Sequence, residues 1–490
     1  MSRKPVRIVF AVVLSAFVAS GSRAYNERVH AWLPGAAFAE RTDHLAEMLD
    51  PPEDGGGFRS WFYERASAHP DSTVRQAFLS RFPSLESFDP WALKEWLMLD
   101  PVGAVWGIDQ FPSSSQTRGH TWALGARHPD DDRRNTDRFL YGADRKSILD
   151  HAGDPISYDP MITAMGGPTG ISSQAHAHYQ LIPEPRTDDP AILKTEPWRF
   201  SVPPDVATYG ADFVQIYTDL AALAGFWQGP GAPWLRHEFQ ANGWHHLQDT
   251  GNQIHTVQVG THEYFRDAWL RALWDRVRTL GGLLEGGATL EEHGIGSIRN
   301  HHLLSEELFG RRFERALEVP DPDLQQAVSA PTEADSALIR AVRHRLRIAI
   351  PESAGESSVP WSLPFGRAIT LGMVDLSSRE GAEVYGATWA WADRRLRGAG
   401  FEYDGGIHDP EDFVRAGSQA ALEEFFRLQA RGLRRSGEAM RIHDALLSRL
   451  VDDATVTERI DGTNACIRRL VVFLDDYHRG AAARRSQSLD

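Results

Sequence analysis

The sequence predicts a mainly α-helical fold, and three observations carry that prediction. Apolar residues recur at helical spacing over 211–226, 262–280, 334–348, 380–396, 410–434, 438–450 and 465–478. Proline and glycine clusters, among them Pro51-Pro52 and Gly55-Gly56-Gly57, punctuate the helical runs of the first hundred residues. Two His/carboxylate pairs, His245-x3-Asp249 and His302-x3-Glu306, fall about one helical turn apart, so that each pair shares a helix face.

The chain is 490 residues long, enough for two or three domains. Its 42% hydrophobic and 24% charged content is that of a soluble globular protein. Fifteen Trp point to an aromatic core more readily than to a lined cleft. Cys466 is the single cysteine, so no intrachain disulfide framework is possible.

Residues 1–24 read as a secretory signal peptide. Arg3, Lys4 and Arg7 precede an apolar run over 8–18 broken only by Ser15, and Ser22-Arg23-Ala24 supplies small residues at the −3 and −1 positions of a cut. That run is too short to span a bilayer, and no later stretch reaches about 18 apolar residues. The expectation is a secreted or periplasmic protein that starts at Tyr25. The whole chain has net charge −15, and the leader contributes basic residues only, so what remains is still more acidic. Such a balance offers no general attraction for nucleic acid or an anionic membrane.

The elements follow in order. Residues 36–49, 72–81 and 90–99 read as helices separated by proline and glycine breaks. Residues 123–205 are rich in Asp, Pro, Arg and Gly and read as a loop-rich insertion, with His176-Ala177-His178 left outside any site. The 211–226 helix is expected to pack near the stretch 244–255. After Glu318, Pro320, Pro322 and Pro331 mark a polar connector, followed by helices and a loose segment at 351–364. The expected division is a catalytic domain over 25–317 and a helical C-terminal extension over 318–490. His408, His443 and His478 stand singly and read as structural or exposed.

The candidate chemistry centres on His245-x3-Asp249-x5-His255. His245 and Asp249 share a helix face, and a break at Gly251-Asn252 lets His255 turn toward a neighbouring ion. Imidazole with carboxylate favours zinc or a similar divalent ion. A His-x3-Asp pair alone is more often a surface hydrogen bond, so the other candidates matter: the Tyr25 amino terminus, His30, Asp109, His120, and His302 with Glu306, for which His301 and Glu307 are the competing register.

Set in chain order, these residues resemble the zinc-dependent phospholipase C family and the related zinc-dependent single-strand nucleases. In that pattern the mature N-terminus is followed by a His, an Asp and a His, His-x3-Asp-x5-His, and His-x3-Glu or His-x3-Asp. The resemblance implies a helical core with three zinc ions. Tyr25 and His30 would hold one, with Asp249 as a bridge; Asp109, His120, His245 and Asp249 the second; His255, His302 and Glu306 the third. It implies a phosphodiester hydrolase, with a zinc-bridging hydroxide attacking phosphorus in line and Asp109 orienting or deprotonating it. The substrate would be a phospholipid or another phosphodiester, with transient contact at a membrane surface. A nuclease or nucleotidase, and a zinc protein that binds a partner without catalysis, are the alternatives. The chain departs from the pattern in having Tyr25 where Trp is usual, Ile254 where Pro commonly follows the Gln, and a longer gap between His255 and His302.

Overall fold

A computed structural model describes residues 27–38, 57–89, 96, 180, 210–256, 322–333, 336–346, 363–397 and 419–487. The fold is mainly α, with no strand among the described residues. In order, the helices are α1 (Glu27–Ala37), α2 (Phe58–Ser67), α3 (Ser72–Arg81), α4 (Gly210–Trp227), α5 (Ala232–Gly251), a 3-10 turn (Gln253–His255), α6 (Pro322–Ser329), α7 (Ala337–Leu346), α8 (Phe365–Arg397), α9 (Gln419–Asp452) and α10 (Val456–Gln487). The expected signal peptide, the expected helices at 36–49 (beyond Phe38), 90–99 (beyond Trp96) and 262–280, and the expected insertion at 123–205 (beyond Gln180) lie outside the described residues.

Local chemistry explains several boundaries. Asp71 starts α3 by accepting a hydrogen bond from the Thr73 amide at 2.9 Å. Thr455 and Glu458 form a capping box at the start of α10, with the Thr455 amide donating to Glu458 at 2.9 Å and the Glu458 amide donating back to the Thr455 hydroxyl at 3.3 Å. A helical hairpin, α4 and α5, forms the middle of the core, turned by Gly231 at φ 80° and started again by Pro233 in the first turn of α5. Gly243 lets the two helices close, since a Cβ there would lie 3.0 Å from the Tyr217 Cβ.

The hairpin is wrapped by later helices. α8, α9 and α10 pack on α4, α8 and α9 also pack on α5, and α1 lies against α9. The helices expected as a C-terminal extension therefore share one apolar core with those before residue 318. A second aromatic cluster, Phe62, Phe78, Phe82, Phe88 and Trp96, joins that core through Phe58, which meets Phe239 of α5 with ring centroids 6.0 Å apart.

Several expectations change. α8 starts at Phe365 rather than at 380, α10 starts at Val456 rather than at 465, and α1 ends at Ala37, where a helix over 36–49 was expected. The helices expected at 410–434 and 438–450 run together, from Gln419 on, as one continuous helix, α9. α9 runs through Gly432 and Gly437, where a Cβ at Gly437 would sit 2.7 Å from the Val328 carbonyl and one at Gly432 would sit 2.8 Å from the Gly251 carbonyl. Close packing on both sides offsets the roughly 1 kcal/mol that each glycine costs a helix. The polar connector also holds a helix, α6, because Pro322 occupies its first position, where a missing amide hydrogen costs nothing.

Candidate metal centre

The hairpin poses a problem. Most of α4 is apolar, but the last two turns of α5 bury His245, His246, Gln248, Asp249 and Thr250, each at most 1% exposed. Burying polar groups is costly unless they are paired or coordinate a metal. The geometry around Asp249 resolves this.

His245, Gln248 and Asp249 occupy positions i, i+3 and i+4 and share one face of α5. The His245 Nε2 lies 3.3 Å from one Asp249 oxygen, and the His30 Nε2 lies 3.4 Å from the other. His30 arrives on α1, whose last turn is fixed by Phe38 stacking on Trp244 at a centroid separation of 5.2 Å. The two imidazoles themselves approach to 4.0 Å between centroids. α5 then ends at Asn252, in an extended conformation, and the following 3-10 turn brings the His255 Nδ1 to 3.9 Å from the Asp249 oxygen facing His30. All four side chains are fully buried.

Gln248 sets the tautomer of His30. Its side-chain carbonyl accepts from the His30 Nδ1 at 2.7 Å, and its amide group points to the Met440 sulfur of α9 at 3.2 Å. With the hydrogen on Nδ1, the His30 Nε2 turns a lone pair toward the Asp249 carboxylate. Lone pair facing anion is repulsive, so positive charge belongs between them. Hydrogen bonds between charged N–H and carboxylate settle at about 2.7–2.9 Å, whereas two ligands about 2.1 Å from one tetrahedral ion lie about 3.4 Å apart. The observed separations match the second case. His30, His245 and Asp249 thus form a buried group that can hold a metal ion, with ligand atoms all within 4.8 Å of one another. An amide oxygen holding the distal nitrogen of a ligand His is the outer support such sites use.

The His255 turn is braced from outside. Gln253 donates to Glu380 of α8 at 3.1 Å and to the Leu428 carbonyl at 2.6 Å. Burial would raise the pKa of Glu380, but Arg435, Gln253 and Arg431 outweigh it and hold the carboxyl below its ordinary value. Below His30, His443 completes a neutral buried chain. Trp244 donates to its Nδ1 at 3.2 Å, and its Nε2 donates to Thr218 at 2.8 Å, which in turn donates to the Val214 carbonyl. Burial pushes the His443 pKa down to about 3.

Of the residues expected at the site, His30, His245, Asp249 and His255 come together. Tyr25, Asp109, His120, His302 and Glu306, and the alternatives His301 and Glu307, lie outside the described residues. Gln248 was missed, although its spacing from His245 already placed it on the ligand face. Met440 and Glu380 carried no local signal, being 192 and 127 residues from their partners. No family model matches this chain, and no curated protein or solved structure does either. Among the described residues no helix is long and apolar enough to cross a membrane.

Proposed function

We propose that the protein is an exported, zinc-dependent phosphodiester hydrolase of the phospholipase C kind. The observation that carries this reading is the meeting of His30 with His245 and Asp249, more than two hundred residues later, at the spacing of metal ligands. In this reading His30 with Tyr25 holds one zinc, His245 with Asp109 and His120 a second, and His255 with His302 and Glu306 a third. Asp249 offers one oxygen on each side, as a bridging carboxylate must.

Bound zinc supplies positive charge toward a phosphodiester and a lowered pKa for its water. The chain's own residues do the rest. Gln248 and Met440 fix the ring of His30. The bond from Gln253 to Glu380 fixes the turn that aims His255. Full burial lowers the local dielectric, so each charge acts more strongly than it would in water. Asp109 is the residue assigned to orient or deprotonate the attacking water. The substrate is a phospholipid head-group diester in preference to nucleic acid, given the acidic balance of the chain.

The complete burial of His30, His245, Asp249 and His255 favours a second reading, a structural zinc in a binding protein. One experiment separates the two. The secreted protein, starting at Tyr25 by N-terminal sequencing, is analysed for metal and assayed with phosphatidylcholine, single-stranded DNA and a chromogenic phosphodiester, with and without chelator. Hydrolysis that needs zinc and is lost in Asp249→Ala is expected. Bound zinc with no turnover selects the structural reading. Absence of zinc, or normal turnover by Asp249→Ala, overturns the hydrolase.

A further inference from the structure

We propose that the cleft between α8, α9 and residues 330–333 and 336–338 is a binding site for a phosphate group, free or as a monoester. The cleft has a volume of about 410 Å³, within the range of small-molecule sites. Arg379 of α8, Arg431, Arg434 and Arg435 of α9, and the acids Glu333 and Glu438 line it. Arg441 and Glu380 also border it, so basic groups outnumber acidic ones by five to three in a chain whose balance runs the other way, at net −15.

The charges are not equally available. Arg441 forms the floor, donating to the carbonyls of Val328 at 2.7 Å and Ala37 at 3.3 Å. Glu380 is held between Arg431 and Arg435. Glu333 meets Arg434 at 3.7 Å with both side chains more than half exposed, a pair that solvent screens and a dianion can displace. Burial raises the pKa of Glu438, and its carboxylate is one of the acids that oppose an anion in the cleft. Arg379 and Arg434 are exposed and present their guanidinium forks to solvent. Planar forks match the oxygens of phosphate, and the net excess of two positive charges matches a dianion.

This inference holds whether or not the metal centre is hydrolytic, and the test keeps the two apart. The full processed chain is titrated calorimetrically with inorganic phosphate, and separately with glycerol phosphate, in the presence of chelator, so that no metal can take up the anion. Saturable binding is expected. The double variant Arg379→Gln/Arg434→Gln should weaken it about tenfold or more, the size of a lost charged hydrogen bond. Glu438→Gln should tighten it, because it removes an opposing acid. Both variants should keep the wild-type urea midpoint within error. A monoester that binds as well as phosphate identifies an esterified group as the natural occupant, and one that does not identifies the free anion. No saturable binding under chelation, or equal affinity in wild type and both variants, overturns the proposal.

Discussion

Replacing Gln248 with Met tests the metal centre at a residue that is not itself a ligand. The substitution keeps length and volume but removes the carbonyl that accepts from His30 Nδ1 at 2.7 Å and the amide that reaches Met440. Both Gln248 and His30 are fully buried, so water does not replace the lost acceptor. Losing it costs about 1–3 kcal/mol in the metal-free protein. Freed of its support, the ring of His30 can turn its lone pair away from Asp249, and removal of such an outer partner weakens metal binding about 10–100-fold. Zinc affinity, measured by competition with a chromogenic chelator, should fall by that factor, and urea unfolding of the metal-free protein should shift by the smaller amount. Gln248→Glu, which keeps an acceptor, should recover much of the affinity. A Met variant with lowered stability but unchanged zinc affinity would refute the reasoning, because it would make Gln248 a packing residue only.

Three further outcomes are expected. The folded pKa of His443, about 3, lies below its unfolded value of about 6.5. The unfolded state therefore binds a proton the folded state refuses, and stability present above pH 6.5 is lost as pH falls toward 3, by roughly 1 kcal/mol per unit. Urea unfolding at pH 7 and pH 5 under chelation should show this slope, reduced in His443→Gln; an unchanged slope in the variant counts against it. Gly432→Ala should destabilise by about 1–3 kcal/mol, because its Cβ would meet the Gly251 carbonyl at 2.8 Å and a backbone cannot rotate away; an unchanged melting temperature would contradict the close approach. Arg469→Met should cost about 3–5 kcal/mol in urea unfolding, since it strips the fork that holds Asp219, whose side chain is 2% exposed; a loss below about 1 kcal/mol would mean that Asp219 is held by Gln215 alone.

The sequence revealed some of this directly. Residues 72–81 were expected as a helix and α3 spans Ser72–Arg81, because an Asp cap and a following Phe-Pro leave little choice. The hairpin partner of α5 was visible as an apolar run at 211–226, now α4. Other features depend on tertiary contacts that no local pattern encodes. The boundary expected between 434 and 438 is absent, and Gly432 and Gly437 let the Gly251 and Val328 carbonyls come close to α9. Spacing within 244–255 suggested His245, Asp249 and His255, but nothing local tied His30 to them; the family resemblance did. Glu380, which braces the His255 turn, sits in an ordinary charged stretch of α8, and its role exists only once α8 and α9 have packed.

Arg441 holds the end of α1 from a distance of 404 residues, through the Ala37 carbonyl, while it also ties down the end of α6. On the ribosome the first helix is therefore made well before one of the side chains that anchors its end. The first helix is held by Trp244 and Gln248 of α5 as well as by Arg441 of α9, so its final seat needs both of those helices. A chain cut between Thr256 and Gln419 would carry His30, His245 and His255 but lack Met440 and Arg441, the α9 part of the scaffold that aims them.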